Sequence, residues 1–514
     1  MKHSIQHYTT APLLMFALLL IQSCDRNFDE INTNPDAVSK ATPQYIFSKA
    51  QYDGVRYSGN TQALLLGTMQ YTTSYNDVAG FGSKYVASQG AQSASVFNLS
   101  YPTQINEIGE VIKAVKDDPS QVNLYAVARI WRVFCFSRLT DLYGDIPYTE
   151  AGQGYNQSVF QPVYDTQQSI YADMLKELEE AAQSFDASNA TTFGSADQIY
   201  SGSPAQWKKF AYSLMLRLGM RMTKVDASNA QAWVTKAIAG GVILDAADIA
   251  KMSYVGSGQD INKNPVALSM LNDDYIKADG FSNTEGGKYQ QVFIDSLKSN
   301  NDPRLPVIAV VYVNGVADDS PAIQKGMPSN ISGGKPADFV TYSEPKQTTV
   351  LRIAAPVLLF TTAESYFLLA EAALRNWYSG ATADVLYEKA IREAMQQWDL
   401  ISGVSGTIAS DDIDTYVAAH QFTGSTFDEQ LEQIYTQFWF SIFPDAQEVF
   451  ANYRRTGYPA LVPNNYPGNA TGGKIFRRFL YPVSEQTLNS ISYAAAINRQ
   501  GADDFLTRIW WDKE

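Results

Sequence analysis

Residues 71–106 concentrate aromatic and polar side chains whose combination suits sugar recognition. The aromatic residues alternate with amides, carboxylates and hydroxyls, and glycines between them allow tight turns. A sugar ring has an apolar C–H face and a hydroxyl rim, so a flat aromatic ring beside amide groups matches both. The candidate ligand-binding residues of this segment are Tyr71, Tyr75, Asn76, Phe81 and Tyr85. The alternative is that these rings only pack a loop against the protein.

Residues for nucleophilic or metal chemistry are scarce. Beyond residue 23 the sequence has one histidine, His420, and two cysteines, Cys24 and Cys135. A His/Cys zinc site needs three or four ligands, and a Ser-His-Asp system would have to use His420, which has no nucleophile motif nearby. No cofactor is therefore predicted, and a structural calcium among the acidic loops stays open.

Two further patterns bear on catalysis. GNATGGKI, at 468–475, has the glycine and lysine spacing of a phosphate-binding loop, but Ile475 stands where Ser or Thr must hold magnesium. We therefore predict a turn there. The chain has 53 acidic residues, which could include a glycosidase pair, but no spacing identifies one.

The N-terminus predicts export and a lipid anchor. The apolar run 11–21 spans about 16 Å as a helix, well short of the ~30 Å core of a bilayer, so we predict a signal peptide over 1–23. The residues before Cys24 (Ile21, Gln22 and Ser23) resemble a bacterial lipobox, which implies diacylation of Cys24. An ordinary signal peptide with an incidental cysteine is the alternative. Residues 24–44 then form an acidic, Pro- and Asn-containing tether.

Composition indicates a large globular protein with an acidic surface. The 514-residue chain is 45% hydrophobic, and removing residues 1–23 changes its net charge from −14 to −15. Phosphate binding depends on clustered Lys and Arg, so this charge disfavours nucleic acid as a partner. Contact with a membrane is expected through the lipid anchor only.

Apolar residues recur at helical spacing in four pairs of segments. These pairs lie near 121–185, 204–241, 361–400 and 427–458. In the second pair, Trp207, Phe210, Ala211 and Leu214 follow the spacing of tetratricopeptide helices. The fold class predicted is mainly α: a tetratricopeptide-like α-α superhelix within one domain, 45–514, carrying long loop-rich inserts.

Local signals add details to this framework. Asp165 is predicted to cap the helix that follows it, because aspartate accepts from the first free N–H groups of a helix. PVIAVVYVN, at 306–314, is the clearest strand and is expected to form a small β hairpin. The segment 71–106 is expected to be a long loop.

Separate stretches resemble the SusD/RagB family of nutrient-binding outer-membrane lipoproteins of Bacteroidetes. In chain order they are FDEINTNPDA, DLYGDIPYTEA, WKKFAYSLMLRLGMR, TTAESYFLLAEAALR and RRFLYPVSEQTLN. The resemblance implies a helical protein with four tetratricopeptide-like pairs. It also implies a cell-surface lipoprotein, without catalysis, that captures an oligomeric nutrient and delivers it to a SusC-like TonB-dependent transporter. The nutrient in this family is most often a glycan.

The resemblance extends the set of candidate ligand-binding residues. Ligands in the family meet aromatic loops away from the repeats, which here adds Tyr275 and Phe281 in DDYIKADGFSN. Two alternatives to the binding lipoprotein stay open at this point: a carboxylate-based glycoside hydrolase, and a helical-repeat scaffold that binds no small ligand.

Overall fold

The computed structural model describes residues 42–75, 82–272, 287–313 and 316–514. The chain divides into Met1–Thr42 and one compact unit, Pro43–Glu514. The predicted signal peptide, Cys24 and the tether as far as residue 41 lie outside the described residues and stay predictions. Within the described ranges, no helix combines the length and apolar character needed to cross a bilayer.

Helices build most of the compact unit, as the sequence predicts. The helices as far as residue 240 are α1 (Pro43–Thr68), α2 (Gln89–Ser100), α3 (Asn106–Val115), α4 (Val122–Tyr143), α5 (Gly154–Gln157), α6 (Gln167–Ser184), α7 (Pro204–Arg221) and α8 (Ala227–Gly240). The later helices are α9 (Pro265–Asn272), α10 (Gln291–Ser299), α11 (Leu305–Ile308), α12 (Thr362–Leu374), α13 (Ala383–Gln396), α14 (Trp398–Ser402), α15 (Ser410–Ala419), α16 (Phe427–Ser441), α17 (Ala446–Thr456), α18 (Val483–Leu488) and α19 (Ser490–Gln500).

The four predicted helix pairs are present and stack in series. Helix α4 packs on α6, α7 on α8, α12 on α13, and α16 on α17. The pairs join one another because α6 also contacts α7, α7 contacts α12, and α12 contacts α16. This arrangement confirms the tetratricopeptide-like fold class.

Small residues let the second pair pack closely. On α7, Trp207, Phe210 and Ala211 are fully buried, as their spacing predicts. A Cβ built on Gly219 would lie 3.0 Å from Val234 Cγ2 on α8, tighter than ordinary side-chain contacts. The close approach of α7 and α8 therefore depends on a residue without a side chain at this position.

The predicted N-cap of α6 is wrong by one residue. Thr166 caps the helix, with its hydroxyl accepting from the Ser169 N–H at 3.2 Å. Asp165 instead lies in a short strand, and its carboxylate accepts from the N–H groups of Tyr148 at 3.1 Å and Thr149 at 2.8 Å. Either residue type can cap a helix, but the Asp165 carboxylate is used within the strand pairing, so Thr166 caps α6.

The predicted loop over 71–106 is also wrong in its second half. Residues 89–100 form α2, and a π-helical turn, Tyr101–Ile105, follows it. In QGAQSASVFNLS the large apolar residues, Val96, Phe97 and Leu99, all lie at one end, so the helical period is weak. Val96 and Phe97 are nevertheless buried, and the Phe97 N–H donates to the Tyr143 hydroxyl at 3.0 Å. Contacts with the rest of the protein therefore stabilise this helix, more than its own sequence does.

Strands are short and lie in small sheets. They are β1 (Thr72–Thr73), β2 (Ile146–Pro147), β3 (Tyr164–Asp165), β4 (Ala250–Met252), β5 (Lys288–Tyr289), β6 (Ala309–Val313), β7 (Val316–Asp318), β8 (Glu344–Pro345) and β9 (Val357–Phe360). The order β7-β6-β8 confirms the predicted minor hairpin, and β1 pairs with β5, β2 with β3, and β4 with β9. All of these pairings are antiparallel.

Buried ion pairs connect the helix pairs. Arg217 of α7 binds both carboxylate oxygens of Glu364 on α12, at 2.6 Å and 2.7 Å. Arg221, one turn further along α7, binds Glu448 of α17. Each of these residues is at most 4% exposed. The second, third and fourth pairs are thus fixed to one another by charges as well as by apolar contacts.

A second buried cluster is centred on Glu371 of α12. Arg455 of α17 binds its two carboxylate oxygens at 2.9 Å and 2.8 Å, and the Arg375 Nε donates to it at 2.7 Å. The Tyr435 hydroxyl of α16 donates to the same carboxylate. Burial by itself would raise the pKa of Glu371, but the two arginines outweigh it and hold the pKa at about 2.

Replacing Glu371 with glutamine is expected to lower the free energy of unfolding by about 3–5 kcal/mol at pH 7, because Arg455 would stay buried without its anion. The folded pKa lies below the ordinary glutamate value of 4.5, so the wild-type stabilisation is present above pH 4.5 and is lost as pH falls towards 2. Urea titrations of both proteins at several pH values measure this. An equal difference at pH 7 and pH 3.5 would contradict it.

Candidate functional site

An open polar groove on the described surface has a volume of about 530 Å³. It is enclosed by the chain after α1, by one side of α10, and by two loops, 328–330 and 462–465. Its lining consists mainly of amides, hydroxyls and prolines. The lining residues are Gln70, Gln290, Gln291, Val292, Asp295, Ser296, Ser299, Pro328, Ser329, Asn330, Val462, Pro463, Asn464 and Asn465.

Two buried glutamines form the floor and fix the surrounding chain. Gln290 Nε2 donates to the carbonyls of Gly67 at 2.9 Å and Thr72 at 2.7 Å, and Gln70 Nε2 donates to the Val462 carbonyl. Gln70 has a left-handed backbone, φ 63°, which a non-glycine residue keeps only where its contacts require it. Its Oε1 atom is buried without a hydrogen-bond partner among the described residues.

Asn464 joins three segments at the opposite wall. Its side-chain amide donates to the Ser83 carbonyl and, at 3.5 Å, to the Ser329 carbonyl, while its backbone N–H donates to the Gly473 carbonyl at 2.9 Å. The predicted turn at 468–475 lies here and Ile475 is buried, so it is packed as an ordinary turn.

The side of α10 that lines the groove has a helical repeat. Gln291, Asp295 and Ser299 are four residues apart and exposed, so they point to the same side of the helix. Asp295 is the one charged residue of the groove lining. The groove therefore presents hydrogen-bonding groups with a single negative charge.

Tyr71, a predicted ligand-binding residue, belongs to the core. Its side chain is fully buried, its ring stacks on Trp439 at a centroid distance of 5.3 Å, and its hydroxyl donates to the Trp439 carbonyl at 2.6 Å. Burial raises the pKa of the hydroxyl. The prediction that Tyr71 contacts a ligand is therefore corrected, because its ring faces other protein residues.

Tyr85 is corrected for the same reason. It is fully buried, its hydroxyl donates to the Thr68 carbonyl at 3.3 Å, and its ring packs on Phe476. Tyr75 is half-buried, with its ring edge-on to Phe339 at 5.2 Å, and stays a prediction. Asn76, Phe81, Tyr275 and Phe281 lie outside the described residues and also stay predictions.

The groove residues were missed because their grouping depends on distant parts of the chain. Gln70 and Gln290 meet although they are 220 positions apart, and Asn464 reaches them from a third region. The four-residue polar repeat of α10 was readable in the sequence, but it is typical of any solvent-exposed helix face.

In the described part of the chain, His420 and three buried glutamates make contacts within the protein. His420 contacts the Tyr416 carbonyl through Nδ1 and Asn300 Oδ1 through Nε2, and its ring stacks on Tyr416. The buried carboxylates of Glu364, Glu371 and Glu448 are bound to arginines. No group of three or more His, Cys, Asp or Glu side chains in the described ranges is placed to hold a metal ion.

Comparison with known proteins identifies the family. The sequence model of a SusD-like family, described as "starch-binding associating with outer membrane", matches residues 35–482, and this chain belongs to that family. The family resemblance noted in the sequence is thereby confirmed. A search of curated protein sequences finds no match.

Solved structures agree with this assignment. A "chitin-binding protein" shares 28% identity and a TM-score of 0.78, with 92% of this chain and 100% of that chain covered. A structure named "Bacteroidetes AC2a SusD-like" shares 27% identity and a TM-score of 0.80, with the same coverage. A chitin-binding SusD homologue from Flavobacterium johnsoniae shares 25% identity and a TM-score of 0.75, covering 92% of this chain and 98% of that one.

Replacing Tyr71 with alanine is expected to cost about 3–5 kcal/mol of unfolding free energy, as for other large buried aromatic residues. Replacing it with phenylalanine is expected to cost only about 1 kcal/mol, since the ring stays and one hydrogen bond is lost. Chemical denaturation followed by circular dichroism measures both. A Tyr71→Ala protein as stable as the wild type would contradict the assignment of Tyr71 to the core.

Proposed function

We propose that this protein is an outer-membrane surface lipoprotein that binds glycan oligomers in the polar groove and delivers them to a SusC-like TonB-dependent transporter. The observation that carries the proposal is the groove itself, because amide and hydroxyl groups such as those of Gln291, Asn465 and Ser299 match the hydroxyls of a sugar chain. Family membership and two relatives named as chitin-binding support a glycan as the ligand.

Cell-surface anchoring would complement a modest affinity. The family description refers to association with the outer membrane, and the lipid on Cys24, which the lipobox-like residues before it imply, would supply the attachment. A binding protein tethered beside a transporter keeps captured ligand at a high local concentration, so weak individual contacts suffice.

The groove is proposed to bind glycans without cleaving them. Most glycosidases place two carboxyl groups about 5–9.5 Å apart across the scissile bond. The groove lining supplies the single carboxylate of Asp295. A glycan bound in the groove is therefore expected to be released without cleavage.

Calorimetric titration of residues 25–514, which contain the whole compact unit, against oligosaccharides and peptides tests the ligand class. We expect heat of binding with oligosaccharides, and no products by chromatography after long incubation. Product formation would favour the glycosidase, and silence across the panel would favour the scaffold.

A steric block tests the location of the site. Ser299 is exposed on the groove side of α10, so Ser299→Trp is expected to weaken oligosaccharide binding at least about tenfold by filling the groove. Ser228→Trp, at an exposed position of α8 outside the groove lining, is the matched control and should bind normally. Normal binding by Ser299→Trp would remove the groove from the proposal.

Delivery needs a separate experiment. The tagged lipoprotein, extracted from its native outer membrane in mild detergent, is expected to co-purify with a TonB-dependent transporter. If it purifies alone while still binding glycans, the transporter part of the proposal fails and the binding part stands.

A further inference from the structure

Large apolar side chains are exposed where the loop before β3 meets α18 and α19. Phe160 is 74% exposed, Leu488 68% and Ile491 82%. The loop is fixed to the helices, because Gln161 Nε2 donates to the Leu488 carbonyl at 2.9 Å. We call this surface the apolar patch, and its exposed members are Phe160, Val163, Leu488, Ile491, Ala494 and Ala495.

The exposed side of α19 has the spacing of a packing surface. Ala494, Ala495 and Asn498 follow Ile491 by three, four and seven positions, and all four residues are exposed. Residues at these spacings share one side of a helix, and an apolar side of this kind normally faces a protein core. The small alanine side chains also let a second backbone approach closely. This side of α19 is therefore suited to contact with another protein surface.

Charged groups are sparse in and around the apolar patch. Segments 157–163 and 483–498 contain one charged residue, Glu485, in a chain that is 18% charged. The Glu485 carboxylate already accepts from the Tyr164 hydroxyl at 2.8 Å. Depletion of charge around exposed apolar and aromatic side chains distinguishes the centre of a protein–protein interface from ordinary surface. The patch therefore fits an uncharged, partly apolar partner surface.

The apolar patch lies near the place where the predicted tether joins the compact unit. A Cβ built on Gly152, in the same loop as Phe160, would lie 3.8 Å from Asn106 Cα at the start of α3. The next residue of α3, Glu107, forms an ion pair with Lys49, which lies within two turns of the start of α1. The loop that carries part of the patch is therefore beside the first turns of α1.

The start of α1 is the part of the compact unit that the proposed lipid anchor would hold nearest the membrane. Residues 24–42, which connect Cys24 to α1, can span at most about 65 Å. The groove follows the opposite end of α1, a helix of 26 residues that is about 39 Å long. A partner of the apolar patch is therefore expected at the membrane surface, and its binding would leave the groove open.

A membrane protein fits the apolar patch better than lipid or a second copy of the chain. Segments that lie in a lipid surface combine apolar residues with Lys and Arg, and residues 483–498 contain neither. Two copies of this chain, each with a net charge of −14, would repel each other. We infer that the apolar patch packs against uncharged extracellular loops of the SusC-like transporter. This inference rests on the proposed function and names the surface that contacts the partner proposed there.

An aspartate in the apolar patch tests the inference in the full-length, tagged lipoprotein, extracted from its native outer membrane in mild detergent. Ile491→Asp adds a charge that contact with an uncharged partner would desolvate, so we expect the transporter recovered per lipoprotein to fall at least about tenfold. Val404→Asp, at a valine that is 94% exposed and outside the patch, is the matched control and should co-purify like the wild type. Both residues are exposed, so both variants should bind oligosaccharides and unfold as the wild type does.

Photo-cross-linking identifies what covers the apolar patch. With p-benzoylphenylalanine in place of Leu488, illumination of living cells is expected to give an adduct that mass spectrometry identifies as a TonB-dependent transporter. The same cross-linking residue in place of Val404 is expected to give no such adduct. An adduct of Leu488 with lipid or with a second copy of the chain, or no adduct with the transporter, would overturn the inference.

The outcomes separate this inference from the proposed function. If Ile491→Asp retains the transporter, or Val404→Asp loses it equally, the inference fails while delivery to a transporter stands. If even the wild type purifies without a transporter, delivery and this inference fail together, and glycan binding in the groove stands.

Discussion

Ion pairs buried between helices fix how the repeat pairs pack on one another. Arg217 and Arg221 leave the same side of α7 one turn apart and bind carboxylates on α12 and α17, and Arg455 returns from α17 to Glu371 on α12. The two-point contacts of Arg217 with Glu364 and of Arg455 with Glu371 restrict both sliding and rotation of the helices that carry them. Because a buried charge without its partner is costly, each pair admits few alternative arrangements.

This rigid stack positions the groove. The floor residue Gln70 lies two residues after the end of α1, and the neighbouring aromatic ring of Tyr71 packs against Trp439 of α16. The groove is therefore attached to the repeats through a fully buried aromatic contact. Its remaining walls are one side of α10 and two loops, and the side chains of Gln290 and Asn464 hydrogen-bond to neighbouring segments. In many proteins, loops that bind ligands are carried on a stable framework of helices or strands.

The predicted aromatic platform and the polar groove consist of different residues. Aromatic residues near one another in the chain suggested a sugar platform, but Tyr71 and Tyr85 are buried by residues from α16 and from the segment around Phe476. Tyrosine is as suited to a core as to a ligand site, since its hydroxyl can bind a backbone carbonyl in either place. The polar groove that faces solvent instead gathers residues from four distant segments, which no local pattern reveals.

Helical spacing in the sequence determined the four repeat pairs, because a period of 3.6 residues places apolar side chains on one side whatever the context. The strand at 309–313 and the family membership were also readable from local residues and their order. Tertiary structure decided that Thr166 and not Asp165 caps α6, and that residues 89–100 are helical. It also decided which polar residues share a groove. These outcomes depend on contacts between residues far apart in the chain, whose energies exceed the weak local preferences of the segments themselves.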